Sequence, residues 1–187
     1  MVEIKEELKE KLKGLKEYVA LATVKAKSYQ AVNLDIIKYL IKDENTPGVY
    51  VTLNKPYNTL KSMFEKGGID TTLIIFIDAV SKTPRQEVKK TKDCLFIGSP
   101  EKLSDISVAM DQAVRAIPSK KKFVFFDSLS TLLIYNSPVV IAKFIHFLAG
   151  KMSEWQVQGI IVSLEKEKNK ELIERLSQFC DVSFEFE

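Results

Sequence analysis

The sequence of 187 residues predicts a three-layer α/β domain, with a mainly parallel central sheet flanked by helices. Three observations lead to that class. Short apolar runs, about seven in all, alternate along the chain with stretches of helical periodicity. Two of these runs, LIIFIDAVS (Leu73 to Ser81) and FVFFDSLS (Phe123 to Ser130), are apolar on both faces, as strands covered by helices on both sides require, and both reach an acid. The first part of the chain reads strand, helix, strand, which is the right-handed βαβ unit of parallel sheets.

The elements follow in order. Residues 2 to 17, VEIKEELKEKLKGLKE, place Ile4, Leu8, Leu12 and Leu15 on one stripe of an amphipathic helix, with Glu7 and Lys11 paired outside. That stripe suits packing on the helix's own domain, or docking and dimerisation. Tyr18 to Val24 is the first buried strand. The polar turn KAKSYQAV (Lys25 to Val32) leads to a helix from about Asn33, its expected N-cap, to Lys42. Asn45, Pro47 and Gly48 return the chain to a strand over Val49 to Leu53. Pro56 opens a helix that Gly67 and Gly68 close. A strand from Leu73 to Ile77 precedes Asp78, and Ser81 to Lys92 reads as a polar surface loop. Cys94 to Ile97 is a short strand, and a helix runs from Ser99-Pro100 to about Ile117. Phe123 begins the strand of Asp127, followed by a polar turn. Pro138 to about Met152 is a strongly apolar helix, Gly159 to Leu164 a strand, Glu167 to Phe179 a helix, and Val182 to Phe186 an alternating edge strand.

Composition narrows the function classes. Hydrophobic residues make up 45% and charged residues 28%, ordinary values for a globular chain. No segment reaches the roughly 18 consecutive apolar residues of a membrane span, and the Lys- and Glu-rich N-terminus lacks the apolar core of a secretory signal, so a cytoplasmic location is expected. The length suits one domain, residues 18–187, preceded by the N-terminal helix of residues 1–17. The net charge of +3 is dispersed and arginine occurs only at Arg85, Arg115 and Arg175, which argues against a nucleic-acid module. Cys94 and Cys180 have no metal-ligand spacing and read as buried thiols. His146 is the single histidine and lies on an apolar helix, without a partner for catalysis. Lys120 to Lys122 read as a solvated basic turn.

The chemistry that is left sits at the C-terminal edge of the sheet, where open α/β sheets place their ligands. Asp78 and Asp127 both end strands there and would form a polar notch. An acid placed like Asp127 holds Mg²⁺ in nucleotide hydrolases, opposite a phosphate-cradling loop after the first strand. In this chain that loop would be KAKSYQAV, which contains no glycine. A phosphate cradle needs positive φ angles and bare main chain against the anion, which Tyr29, Gln30 and Val32 resist. Lys25, Lys27 and Ser28, with the helix N-terminus behind them, leave room for weak anion binding only.

GVYVTLNKPYNTLKSMFEKGGID (Gly48 to Asp70), CLFIGSPEKLSDISVAMDQAVRAI (Cys94 to Ile117) and KFVFFDSLSTLLIY (Lys122 to Tyr135) together resemble the archaeal KaiC-like branch of the RecA superfamily of P-loop ATPases. The resemblance covers about residues 18 to 187 and is sharpest at FFDSLSTLL, which is similar to that family's Walker B strand. It implies a RecA-like, P-loop NTPase-like fold with Asp127 as the Walker B acid. The departures are as informative. The Lys-Thr pair of the family's glycine-rich Walker A loop would fall near Gln30 and Ala31. The glutamate expected directly after the second strand is replaced by Leu53-Asn54-Lys55. The continuation that in the family carries basic residues to a neighbouring subunit does not follow the last strand.

The resemblance and its departures together imply a pseudo-ATPase, a regulatory or assembly scaffold acting through a protein partner or self-association and using no cofactor. The alternative is a nucleotide-binding protein or ATPase that holds Mg-ATP through Lys25, Lys27, Ser28, Asp127 and Ser128, with Asp78 as a second acid on the metal. The conformation of residues 25 to 32 distinguishes them. An open nest would favour nucleotide binding, and a collapsed turn filled by Tyr29 would oppose it.

Overall fold

The computed structural model describes residues 2–82, 91–165 and 170–187. Helix α1 (Val2–Lys11) precedes strand β1 (Tyr18–Val24), and helix α2 (Tyr29–Lys38) runs into a wider π turn, Tyr39–Asp43. Strand β2 (Gly48–Thr52), helix α3 (Tyr57–Lys66), strand β3 (Ile74–Asp78) and strand β4 (Cys94–Phe96) follow. Then come α4 (Leu103–Ala116), β5 (Phe123–Asp127), α5 (Leu129–Tyr135) and α6 (Pro138–Glu154). The chain finishes with β6 (Gln158–Leu164), α7 (Lys170–Ser177) and β7 (Val182–Phe186).

The seven strands form one sheet in the order β4-β3-β2-β5-β6-β1-β7, and every neighbouring pair is parallel. The fold is therefore the expected three-layer α/β domain, with a sheet that is parallel throughout. Successive strand residues point to opposite faces, so the sheet separates two cores. On one face Tyr50, Phe76, Phe123 and Phe125 meet Leu8 of α1, Ile36 and Ile37 of α2, and Phe64 of α3. On the other Val51, Ile77, Val124, Phe126 and Ile161 meet α4, α5, α6 and α7. The central strands read as unbroken apolar runs because both of their faces are covered.

The N-terminal stripe is used on the same body. Leu8 and Leu12 are buried in the first core with Ile4 packed against it, while Leu15 lies beyond the helix and is exposed. Gly48 opens β2 where only a hydrogen fits, since a Cβ there would stand 2.5 Å from the carbonyl oxygen of Phe123. The final strand is at an edge, as its alternation predicts, and β4 forms the other edge.

Four local expectations are corrected. The second helix begins at Tyr29, with Ser28 as its N-cap, and Asn33 is a buried residue inside it. The anchor that starts it early is the Tyr29 side chain, described below. The helix expected from Ser99 begins at Leu103, because the Ser99 hydroxyl accepts from the Glu101 N–H and holds the preceding residues in a turn. The stretch after Asp127 is helix α5 instead of a polar turn. Leu129 and Leu132 are buried there, and Ser130 accepts from the Leu164 N–H at 2.7 Å, fastening the segment to β6. The sheet edge at β2 comes one residue earlier than expected, at Thr52. Of the polar loop predicted over Ser81 to Lys92, residues 83–90 lie outside the described residues, as does the start of the helix predicted from Glu167.

Candidate functional site

Parallel register sets the site. Thr52 at the end of β2 pairs with Asp78 on one side and with Asp127 on the other, so all three lie in one row at the C-terminal edge. Adjacent strands are about 4.8 Å apart, which puts two strand spacings between the acids' backbones. The two carboxylates have separate environments.

Asp78 is fully buried and saturated. Its Oδ1 accepts from the N–H groups of Val80 and Ser81 at 2.7 and 2.8 Å. Its Oδ2 accepts from the Tyr57 N–H at 2.7 Å and the Ser81 hydroxyl at 2.5 Å. It thus ties the first turn of α3 to the loop leaving β3, in the manner of a capping residue. Asp78→Ala is expected to cost about 1–2 kcal/mol, since several buried N–H groups lose their acceptor, and urea unfolding at pH 7 checks it.

Asp127 lies in a cluster of neutral polar groups. Its side chain is 2% exposed. The Tyr29 hydroxyl donates to Oδ1, the Tyr50 hydroxyl donates to Oδ2 at 2.5 Å, and Asn54 Nδ2 donates to Oδ1 at 3.3 Å and to the Tyr29 oxygen at 3.0 Å. The Leu53 N–H donates to the Asp127 carbonyl, and the Asp127–Ser128 peptide is cis. Burial pushes the Asp127 carboxyl up to about 8. No cation contacts it among the described residues.

The path of Tyr29 explains the shape of this edge. Strand β6 stands between β1 and β5, so a side chain at the start of α2 must reach past β6 to touch Asp127. The Tyr29 ring makes that crossing and is buried. The turn between β1 and α2 is reduced to Lys25 through Ser28, and it is closed on itself: Ser28 donates to the Lys25 carbonyl through its N–H at 3.1 Å and its hydroxyl at 3.2 Å. The residues predicted around it are not brought to Asp127. Lys25 pairs with Glu187 at 2.9 Å, Lys27 is exposed, and Ser28 is half-buried. Ser128 adjoins Asp127 in sequence, but its hydroxyl faces Thr131 Oγ1 at 3.3 Å.

The sequence points to Tyr29 as a possible filler of the turn, and it gives no direct sign of Tyr50 or Asn54 as partners of Asp127. A usable signal was present, because a tyrosine in a wholly buried strand requires a partner for its hydroxyl and a buried carboxylate requires donors. The remaining candidates are structural or peripheral. His146 is exposed and its ring lies tilted against Phe179, with ring centroids 4.6 Å apart. Lys122 donates to the carbonyls of Val114 and Ile117, capping the end of α4, and Lys121 pairs with Glu44 at 2.5 Å. Cys94 and Cys180 are free thiols. Among the described residues no group of three or more His, Cys, Asp or Glu side chains is arranged to hold a metal ion, and no helix is long and apolar enough to cross a membrane.

Comparison with known proteins agrees with this architecture. The family model described as the KaiC ATPase matches residues 34–182. No curated protein matches the chain. Among solved structures, a KaiC-like protein of the hyperthermophilic archaeon Pyrococcus horikoshii is similar in fold, with a TM-score of 0.58 at 16% identity, over 83% of this chain and 67% of that one.

Proposed function

The chain belongs to the KaiC ATPase family, and we propose that it is a member without ATP hydrolysis, which keeps the fold as a regulatory or assembly module. The observation that carries this reading is the seat of Asp127 beneath Tyr29. The carboxylate that would face a metal ion or its water instead accepts from Tyr29, Tyr50 and Asn54. The residues at this edge do not fit a magnesium nucleotide. The Tyr29 ring stands between the turn and the acid, the glycine-free turn is bonded to itself, and Lys25 is engaged by Glu187. Directly after β2, where a water-activating glutamate would be expected, Asn54 is bound into the same cluster.

An assembly role draws support from the outer surface of the second layer. Ile134 and Tyr135 at the end of α5, and Val139, Val140 and Phe147 on α6, are exposed apolar side chains. A helix apolar on both its inner and outer sides suits contact with a protein partner.

The test is binding and turnover of Mg-ATP by the full chain. A ligand present at a hundred times its dissociation constant stabilises a protein by about 2.7 kcal/mol, so thermal unfolding with millimolar Mg-ATP is expected to show no such shift. Low-micromolar binding, with turnover that disappears in Asp127→Asn, would replace this reading with that of a working ATPase.

A further inference from the structure

We propose that two copies of this chain pair through the outer face of α6, antiparallel about a two-fold axis, a step that rests on the assembly reading above and names its partner. Along this helix Val140, Lys143, Phe147, Gly150 and Glu154 recur at alternating steps of three and four residues, the spacing of a seam between helices. All five are exposed, while Ile141, Ile145, Leu148 and Met152 bury the opposite side in the second core.

The apolar part of this surface is large enough for a stable pair. Val140 and Phe147 of the seam are joined by Val139 on the same helix and by Ile134 and Tyr135 at the end of α5, with exposures between 43% and 73%. At the area of side chains this size, those exposures leave roughly 500 Å² of apolar surface uncovered. A standard interface buries about 800 Å² on each chain, about 65% of it apolar in homodimers. The patch therefore supplies the apolar share of one such interface.

The seam is complementary to itself, which selects a second copy as the occupant. An axis across the helix midway between Phe147 and Gly150 sets Phe147 against the partner's Gly150. One turn further out on either side, it sets Lys143 against the partner's Glu154. Parallel pairing would instead put lysine on lysine and glutamate on glutamate, which is repulsive. Glu154 also pairs with Lys151 of its own helix at 2.7 Å, but that pair is exposed and exchanges partners at little cost. Gly150 is a second, independent pointer. It lies inside α6, where glycine costs about 1 kcal/mol relative to alanine, and a Cβ there would meet nothing within 4 Å of its own chain. The fold of the single chain has no use for the missing side chain, whereas an aromatic ring arriving from a partner fills that recess. Val139 and Val140 then reach the end of the partner's helix, at half-buried Trp155.

Sedimentation equilibrium of the full chain is the test. A mass of twice 21.3 kDa is expected at about 100 µM. Phe147→Glu should weaken pairing about a hundredfold or more. Lys143→Glu and Glu154→Lys should each weaken it roughly three- to thirtyfold, and the two together should restore it. Gly150→Leu should raise the urea midpoint of the dilute, monomeric chain, because glycine is a poor helix former, and yet weaken pairing about tenfold or more. A monomer mass at about 500 µM, pairing unmoved by Phe147→Glu, or a double charge reversal that pairs no better than the single ones would overturn the two-fold pairing. A monomer that turns over no Mg-ATP overturns the pairing and leaves the loss of hydrolysis standing, and a dimer that does turn it over has the reverse meaning.

Discussion

Asp127→Asn is expected to make the protein more stable than the parent at pH 8, and to remove most of a pH dependence that the parent shows between pH 5 and 8. The physical origin is burial. Asp127 is pushed up to about 8 in the folded protein, while an aspartate in the unfolded chain titrates near 3.9. Between those values the folded state holds a proton that the unfolded state has released, so stability falls as pH rises through the window and is fully present only below it. The slope has a ceiling of about 1.4 kcal/mol per pH unit. The donors Tyr29, Tyr50 and Asn54 favour the anion and oppose that ceiling. The expected difference between parent and variant therefore grows by about 1–4 kcal/mol from pH 5 to pH 8. Urea unfolding at a series of pH values measures it. Groups shifted the other way, such as Glu44, which the Lys121 ammonium holds below the usual carboxylate range, lose their contribution at lower pH and are common to both proteins. Parallel stability curves would mean that Asp127 is already ionised in its seat.

The legibility of this site in the sequence was uneven for a physical reason. Strand β5 is readable because burial on both faces writes a continuous apolar run, and the terminal acid follows from position alone. The missing glycines after β1 are equally plain, because phosphate cradling depends on local backbone freedom. The cluster around Asp127 depends on strand order instead. Tyr29 and Asp127 are 98 residues apart and Tyr50 and Asp127 are 77 apart. They meet only because β2 and β6 flank β5 and because β1 lies one strand further out. No local pattern encodes that arrangement. The same dependence displaced the start of α2: local propensity put the N-cap at Asn33, whereas a tertiary anchor at Tyr29 extends the helix by a turn. Helix α5 is hard to read because its stretch is short, and its polar Ser130 is explained only by β6, where its hydroxyl meets the Leu164 N–H and the Ser163 hydroxyl.

Tyr50→Ala is expected to cost about 4–5 kcal/mol and Tyr50→Phe about 1–3 kcal/mol, both by urea unfolding at pH 7. The side chain belongs at once to the first core and to the polar cluster of Asp127. Its ring stacks on Phe125 with centroids 5.0 Å apart and meets Phe64 edge-on at 5.2 Å, in the centre of the first core. Alanine would leave a cavity there that a close-packed interior fills poorly, in addition to the lost apolar transfer. Phenylalanine keeps the ring and removes only the hydroxyl, which strips Asp127 Oδ2 of its 2.5 Å donor. That loss falls mainly on the ionised carboxylate, so the cost of Tyr50→Phe should be larger at pH 8 than at pH 5, the pH slope of the variant being steeper than that of the parent. In an Asp127→Asn background the same change should cost less, giving a coupling of about 0.5–3 kcal/mol in a double-mutant cycle. A Tyr50→Phe cost that is independent of both pH and Asp127 would show that the hydroxyl contributes through packing alone, and that the acid at the end of β5 is held by Tyr29 and Asn54 without it.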